Sequence, residues 1–352
     1  MNFRNDTLQV SRTNTLLEQI VVVDGQAGSG KSMFTSILPT FDRVELYNYC
    51  TELENLCALF SLGKIPRDSC ETMIKIQLDL VIYETMMSRR TNFRYSDVSS
   101  AFNSSKFFEY FFRLFSKGDM AIPKIIKEKK PILNFLTHNL LPVSKPLFES
   151  AKNKLTFIEI IRHPLYMLIQ QTYNQINFYS DENKIRQFHV CFNDEDKEYF
   201  SWNYEDVKEF KNANPVERAI IEMYYFEKKN KEFKENNKNY LSNILTIPFE
   251  QFVKFPQEFI GLIENKLNTF KSRKTDKYLK KHKIPRKKLA DSIPLDVYKR
   301  CGWQPPDPNL DERGELKKRR EFAITEKARK KYLNMLDEIS YDYEQKNMKN
   351  II

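Results

Sequence analysis

The sequence predicts an α/β fold in which a mostly parallel sheet is flanked by helices. Three observations predict this class. A short apolar strand runs directly into a glycine-rich loop and a helix, further apolar runs alternate with helical stretches, and 41% of the 352 residues are hydrophobic, enough for a large core. The predicted strands are Gln19–Val23, Val44–Tyr47, Ile132–Thr137, Leu155–Ile161 and Ile244–Ile247.

The first strand leads into Gly25–Ser32, which has the form GxxxxGKS. Glycines let the backbone N–H groups converge, the positive end of a helix predicted over Ser32–Leu38 faces the same point, and Lys31 adds a charge. The segment is therefore a candidate phosphate-binding loop (P-loop) for a nucleotide-like anion. Phosphoryl and sulfuryl transferases both use such a loop. The candidate binding residues here are Gly28, Ser29, Gly30, Lys31 and Ser32.

A long helical insertion separates the second and third predicted strands. Residues 71–88 and 105–117 carry Met, Leu, Phe and Tyr at helical spacing, and the polar loop Ser88–Ser105 joins them. Insertions of this kind often build an acceptor pocket beside a nucleotide site. We therefore interpret residues 71–117 as an acceptor-side insertion.

Two later helices are also predicted. Asn214 and Pro215 are typical of an N-cap followed by the first helical residue. The apolar face of that helix comprises Val216, Ala219, Ile220, Met223 and Phe226. A final helix is predicted over about Thr325–Gln345, and its core-facing stripe comprises Ala328, Tyr332, Met335, Leu336, Ile339 and Tyr343.

Charge is distributed unevenly along the chain. The net charge is +10, and residues 271–330 hold 20 basic against 9 acidic residues, an excess of 11 that accounts for all of it. The segment is either a solvated charged face or a cover for an anion, and no nucleic-acid-binding signature accompanies it. We divide the chain into a polar N-terminal extension (1–17), a core (18–270) and a basic helical C-terminal section (271–352).

The strand ends carry the candidate chemistry, because ligands collect at the carboxyl ends of parallel strands. The third strand ends in Thr137-His138, and the fourth ends in Arg162-His163-Pro164. A P-loop kinase usually places an Asp or Glu there to hold Mg²⁺. Here the strand ends carry a candidate base, His138, and a cation, Arg162, instead of that acid. This favours a donor whose transferred group needs no bridging Mg²⁺, so no metal site is expected.

At these residues the chain resembles the P-loop sulfotransferases that use 3′-phosphoadenosine 5′-phosphosulfate. The family has a phosphosulfate loop, a Thr/Ser-His-x-x-x-Pro segment, a strand ending in Arg-x-Pro, and a Tyr/Phe-Glu-x-Leu/Phe segment followed by a proline. The matching segments here are Gly25–Ser32, Thr137–Pro142, Arg162–Pro164 and Phe249–Phe252 with Pro256. Order and spacing agree over about a third of the chain.

The resemblance implies a role for each matching residue. Gly28–Ser32 would hold the 5′-phosphosulfate, and Lys31 would stabilise charge on the leaving oxygen. Arg162 would bind the 3′-phosphate, with Gln170 at the position of a family serine. His138, near its ordinary pKa of about 6.5, would take the proton of the acceptor hydroxyl. The acceptor is expected to be a saccharide or a glycolipid.

Some assignments stay open. Arg286 lies where the family brings a late basic loop onto the 3′-phosphate, although a solvated turn explains it equally well. Glu52 or Glu54 could serve as the base instead of His138. No apolar run is long enough to span a bilayer and no signal segment precedes the core, so a cytoplasmic protein without nucleic-acid partners is expected.

Three features depart from the family pattern. Gln170 replaces the serine, Leu136 replaces a lysine that often precedes Thr-His, and Lys31 follows Gly30 as it does in kinases. The last of these favours the main alternative, a Mg·ATP-dependent small-molecule kinase with Ser32 on the metal. A non-catalytic nucleotide-binding scaffold is the third hypothesis.

Overall fold

A five-stranded parallel sheet forms the centre of the molecule. The computed structural model describes residues 8–97, 99–178, 187–195, 197–294 and 299–352. The sheet order is β2-β3-β1-β4-β7, and every neighbouring pair is parallel. The strands are β1 (Gln19–Asp24), β2 (Val44–Tyr49), β3 (Ile132–Leu136), β4 (Leu155–Ile161), β5 (Cys191–Asp194), β6 (Lys197–Phe200) and β7 (Ile244–Pro248). The predicted fold class and all five predicted strands are confirmed, and the antiparallel β5–β6 pair was not predicted.

Helices cover both faces of this sheet. The first seven are α1 (Phe34–Ile37), α2 (Thr51–Ser61), α3 (Arg67–Met86), α4 (Phe107–Arg113), α5 (Ile122–Lys129), α6 (Lys145–Ala151) and α7 (Pro164–Phe178). The others that the described residues contain are α8 (Val207–Lys211), α9 (Pro215–Asn236), α10 (Phe249–Lys254), α11 (Pro256–Leu267), α12 (Lys274–Lys281), α13 (Glu312–Thr325) and α14 (Lys330–Asn347).

Strand β1 shows why both faces are buried. Ile20 and Val22 join one apolar cluster, which contains residues of α2, α3, α5 and α6. Val21 and Val23 join the other, which contains residues of α1, α7, α9 and α14. Side chains alternate along a strand, so a run of uninterrupted apolar residues is what a sheet covered on both faces requires.

The helix after the glycine loop differs from the prediction. Instead of one helix over Ser32–Leu38, the segment has a 3₁₀ turn at Lys31–Met33, four α-helical residues in α1, and a second 3₁₀ turn at Leu38–Thr40. Pro39 lacks an N–H and cannot extend an α-helix, so the helix stays short. The dipole expected from a longer helix is correspondingly weaker.

The helical insertion is present as predicted, in α3 and α4. A buried ion pair between Arg113 and Glu45 fixes α4 to β2, and Tyr110 donates a hydrogen bond to the same carboxylate. Arg113 lies over the Tyr110 ring at 4.4 Å. These contacts hold the insertion against the edge strand of the sheet.

The helix starting after Asn214 is confirmed, and the final helix is shorter than predicted. Asn214 caps α9 through a reciprocal capping box with Glu217. The final stretch breaks between α13 and α14, where Lys327 has a left-handed φ of 60°. Arg329 donates hydrogen bonds from its backbone N–H and its guanidinium to Glu217. This ion pair holds the residue before α14, which begins five residues later than expected.

The N-terminal segment lies along α3. Asp79 accepts hydrogen bonds from the backbone N–H groups of Leu16 and Leu17 and pairs with Arg12. Residues 1–7 of the predicted extension lie outside the described residues, and the division into three sections stays a prediction. Among the helices described, none combines the length and the apolar character that crossing a bilayer needs.

Candidate functional site

Glycine is required at two positions of the P-loop. Gly25 and Gly30 have φ values of 155° and 92°. A Cβ at Gly30 would lie 2.2 Å from Cε2 of Phe249, and a Cβ at Gly25 would lie 2.6 Å from the carbonyl oxygen of Ile160. The backbone therefore approaches Phe249 and Ile160 too closely for any residue with a side chain.

Lys31 is buried beneath this loop. Its Nζ donates hydrogen bonds to the carbonyl oxygens of Gly25 at 2.8 Å and Gln26 at 3.1 Å. Burial lowers the pKa of Lys31 to about 8, against the opposing attraction of Asp24 and Glu54. The side chain is thus a desolvated cation held at the base of the loop, where electrostatic interactions are stronger than in water.

Asp24, the last residue of β1, forms hydrogen bonds directly before the loop. Its carboxylate accepts hydrogen bonds from the hydroxyl of Thr137 and from the backbone N–H groups of Leu140 and Leu141. Burial raises the pKa of Asp24, while these donors and Lys31 act in the opposite direction. Asp24 therefore joins the end of β1 to the turn after β3, which carries His138.

The pKa of Lys31 predicts a pH-dependent stability. Between about pH 8 and pH 10.5 the unfolded chain binds more protons at this residue than the folded chain, so the free energy of unfolding rises with pH. We expect a gain of about 3 kcal/mol across this interval, absent in Lys31→Met. Urea unfolding of both proteins at several pH values measures the difference, and parallel curves would contradict the assignment.

Arg162 contacts the glycine loop directly. Its Nη1 donates to the carbonyl oxygen of Gly28 at 2.8 Å, and its Nε lies 3.9 Å from Glu250. Glu250 is fully buried and also accepts from the backbone N–H of His163 and the hydroxyl of Tyr343. The Phe-Glu segment predicted from the sequence is therefore the support that orients Arg162.

Phe249 connects the two candidate arginines. Its ring lies 4.1 Å from the guanidinium carbon of Arg162 and 5.2 Å from that of Arg286. Arg286 is buried and donates to the carbonyl oxygen of Leu289. Arg162 and Lys31 thus contact the loop directly, whereas Arg286 is linked to it through the Phe249 ring.

Two adjacent glutamines lie against the same loop. Gln170 places its Oε1 3.2 Å from where a Cβ on Gly28 would be. Gln171, which the sequence analysis did not identify, donates to the carbonyl oxygen of Ala27 at 2.8 Å. The two residues follow each other in α7, so the helix both faces the loop and fixes its backbone.

Buried polar atoms without hydrogen-bond partners cluster behind the loop. Ser29 Oγ, Gln26 Oε1, Arg162 Nε and Asn230 Oδ1 are all buried and unpartnered, and all four residues line a cavity of about 40 Å³. Unmet hydrogen-bonding capacity is costly in a folded protein and typically marks a ligand or ordered water. Because two of the four atoms are amide oxygens, which accept hydrogen bonds, and the cavity measures only about 40 Å³, this cluster fits ordered water.

His138 differs electrostatically from the expectation. Tyr49 Oη lies 2.6 Å from His138 Nδ1, and the His138 backbone N–H donates to Glu54 at 2.6 Å. Burial and the Lys31 charge lower its pKa well below 6.5. The expected ordinary pKa is therefore wrong, and the free imidazole is neutral at physiological pH.

Glu54 and Glu52 have different environments. Glu54 is buried and lies 3.6 Å from His138 and from His189, whereas Glu52 is 55% exposed. Burial raises the pKa of Glu54. The sequence analysis did not identify His189, because 135 residues separate it from Glu54 and no local pattern links them. Among the residues described, no group of three or more His, Cys, Asp or Glu side chains is arranged to hold a metal ion.

A cavity of about 430 Å³ lies between the loop helix and the helical insertion. Thr35 and Ser36 of α1 contribute one side, and Tyr49 of β2 contributes another. Most of the lining side chains carry hydroxyl or amide groups. The lining from the insertion comprises Thr85, Arg90, Thr91, Asn92, Ser99, Ser100, Asn103, Ser104 and Tyr110.

Comparison with solved structures finds a likeness in fold. The chain is similar to the sulfotransferase domain from the Synechococcus PCC 7002 olefin synthase. The superposition covers 95% of this chain and 99% of that domain, with a TM-score of 0.40 and 11% sequence identity. No protein-family model matches the chain, and no curated protein sequence matches it.

Proposed function

We propose that this chain is a sulfotransferase that moves a sulfuryl group from 3′-phosphoadenosine 5′-phosphosulfate to a hydroxyl acceptor. The position of the 430 Å³ cavity carries the proposal. It adjoins α1, directly after the P-loop, and it is lined by Tyr49, the hydrogen-bond partner of His138. A hydroxyl bound there is connected to the candidate base His138 through Tyr49.

Donor binding is assigned to the P-loop and the cations around it. The backbone of Gly28–Ser32 and the Ser29 hydroxyl bind the 5′-phosphosulfate, and Arg162 binds the 3′-phosphate through a charge-assisted pair of hydrogen bonds. The hydrogen bond from Arg162 Nη1 to the carbonyl oxygen of Gly28 supports this assignment, because it holds the guanidinium against the loop. Gln170 beside Gly28 and Arg286 behind the Phe249 ring complete the proposed donor site.

Transfer itself is assigned to two side chains. Lys31 stabilises the negative charge that develops on the bridging oxygen as its bond to sulfur breaks. His138 accepts the proton that the acceptor hydroxyl loses as its oxygen bonds to sulfur. Glu54 positions His138 through the backbone N–H, and the lowered pKa keeps the imidazole free to accept a proton.

The acceptor is proposed to be a saccharide or a lipid-linked glycan. Hydroxyl and amide side chains dominate the cavity lining, and such groups can pair with several sugar hydroxyls at once. The cavity residues from the insertion belong to a different segment of the chain than the proposed donor site. Acceptor specificity can therefore vary independently of donor binding.

The kinase alternative places Mg·ATP at the same loop with Ser32 on the metal. Ser32 is exposed at the start of the 3₁₀ turn, and Lys31 follows Gly30 in the order that kinases use. The scaffold alternative keeps nucleotide affinity without turnover. The kinase and scaffold alternatives differ from the sulfotransferase proposal in the ligand that binds and in whether a product forms.

Thermal-shift titration separates these hypotheses. We expect 3′-phosphoadenosine 5′-phosphate to stabilise the protein without divalent cations, and Arg162→Ala to remove most of that shift because the 3′-phosphate loses its guanidinium. Charge-assisted hydrogen bonds of this kind contribute about 1.5–3 kcal/mol, so affinity falls roughly 10–100-fold. The readout is the ligand-induced shift, because the substitution also leaves Glu250 without its cation.

Two variants serve as controls. Arg162→Lys keeps a positive charge and retains part of the shift, whereas Arg67→Ala removes a surface arginine paired with Glu71 and Glu149 and leaves the shift unchanged. Selective stabilisation by Mg·ATP or Mg·ADP would establish the kinase alternative instead. Ligand-induced stabilisation with no sulfated product from a broad panel of hydroxyl acceptors would favour the scaffold.

A further inference from the structure

The surface of α4 exposes an unusual concentration of aromatic side chains. Phe108, Phe112 and Phe115 are 71%, 63% and 75% exposed, in a protein whose other large apolar residues mostly pack inward. The rings form a continuous set through Phe111, which contacts both Phe112 and Phe115. Contiguous exposed apolar surface of this kind marks an interaction site.

This aromatic helix is fixed rigidly to the protein. Tyr110 and Arg113 bind the buried Glu45 on β2, so one face of α4 is anchored while the opposite face points outward. Glu109, the acidic residue among the exposed rings, is neutralised by Arg113 and Lys106. The exposed face therefore presents phenylalanines without net negative charge.

A basic helix lies directly beside it. In α12, Lys274 donates to the carbonyl oxygen of Ser105 at 2.8 Å, two residues before α4 begins, and Tyr278 reaches the carbonyl oxygen of Asn103. Lys274, Lys277 and Lys281 recur at the spacing of one helix stripe and are exposed. Among the residues described, Lys277 and Lys281 form no ion pair with a carboxylate.

We propose that the exposed face of α4 and the lysine stripe of α12 together form a docking surface for anionic phospholipid bilayers. Phenylalanine rings insert at the headgroup boundary, and lysines beside them are attracted to anionic lipid headgroups. Charge complementarity selects this occupant, since an apolar protein partner has no need of an adjoining lysine stripe. The segment with the excess of 11 positive charges supplies that stripe.

Docking in this orientation has a consequence for the larger cavity. The loop 99–104 and Tyr110 line the cavity, and the same segment carries the aromatic face. Tyr110 lies on the anchored face of α4, so a bilayer bound at the outer face is separated from the cavity by this one helix and holds the protein where lipid-linked acceptors are concentrated. This consequence alone rests on the proposed function, whereas bilayer binding does not.

Vesicle flotation tests the proposal without any activity measurement. Wild-type protein is expected to float with phosphatidylcholine vesicles that contain roughly a third phosphatidylglycerol, and not with pure phosphatidylcholine. At about 1 kcal/mol per lysine, Lys277→Gln/Lys281→Gln weakens binding roughly 30-fold. Phe108→Ser/Phe112→Ser weakens it roughly tenfold or more. Salt at about 1 M suppresses the charge-dependent part.

Matched controls and the opposing outcomes complete the design. Lys231→Gln/Lys238→Gln on α9 and its following turn, and Tyr341→Ser on α14, remove exposed groups elsewhere and leave flotation unchanged. Absence of flotation with anionic vesicles overturns the proposal, as does flotation that both docking-surface variants retain. So does a wild-type dimer that Phe108→Ser/Phe112→Ser dissociates in sedimentation velocity without any vesicle binding, since α4 then contacts a second copy.

Discussion

The substitution Lys31→Met is expected to lower kcat for sulfuryl transfer by roughly 10²–10³-fold, the loss typical when one preorganised electrostatic donor is removed from a site. Methionine has a similar length and fills the buried space, but it carries no charge. Nζ is held by the carbonyl oxygens of Gly25 and Gln26 at the base of the P-loop, where water cannot substitute for it. The negative charge on the leaving oxygen would therefore remain uncompensated.

Transfer of labelled sulfate at saturating donor and acceptor measures this effect. Lys64→Met, which replaces an exposed lysine after α2, is the matched control and is expected to keep wild-type kcat. A kcat for Lys31→Met within about threefold of wild type would remove Lys31 from the chemical step. A raised KM for the donor with unchanged kcat would restrict its role to binding.

The substitution Gly30→Ala is expected to destabilise the fold by about 2–5 kcal/mol. A left-handed backbone at a non-glycine residue costs about 1–2 kcal/mol, and overpacking against Phe249 adds about 1–3 kcal/mol. The new Cβ would lie 2.2 Å from the Phe249 ring, which carries Arg162 on its face. Displacing the ring therefore also disturbs the cation assigned to the 3′-phosphate.

Urea unfolding of two further variants separates these causes. Gly261→Ala, in the interior of α11 with open space around its Cβ, is expected to stabilise the protein by about 1 kcal/mol. Gly30→Ala/Phe249→Leu removes the clash but keeps the backbone strain, so it recovers part of the loss after the cost of Phe249→Leu alone is subtracted. A Gly30→Ala protein within about 0.5 kcal/mol of wild type would show that the loop relaxes around the new side chain.

The central sheet could be predicted because its signals are local. Short runs rich in apolar residues and bounded by polar turns are typical of buried parallel strands. Such runs predicted all five strands, although Glu45 interrupts β2 and Asn134 interrupts β3. Helix ends were less predictable. The break between α13 and α14 depends on the ion pair of Arg329 with Glu217, a residue more than a hundred positions earlier.

The candidate site was likewise predictable only in part. The positions of Lys31, His138 and Arg162 at one edge of the sheet follow from parallel strand topology, since carboxyl ends of neighbouring strands meet there. The partners of these residues do not follow from it. Glu54 contacts His138, which lies 84 positions later in the chain. Phe249 contacts Arg162, which lies 87 positions earlier. Both contacts depend on the packing of distant segments.

The amino-acid sequence by itself determined the α/β class, the five parallel strands and the glycine loop, because strand periodicity and glycine geometry act over a few neighbouring residues. The tertiary structure alone decided the electrostatics of the site. Burial lowers the pKa of Lys31 and His138, and it places Glu54 and His189 together. Burial and long-range charge pairs arise only when distant segments pack, and they change the free energies of ionisation that set each group's chemistry.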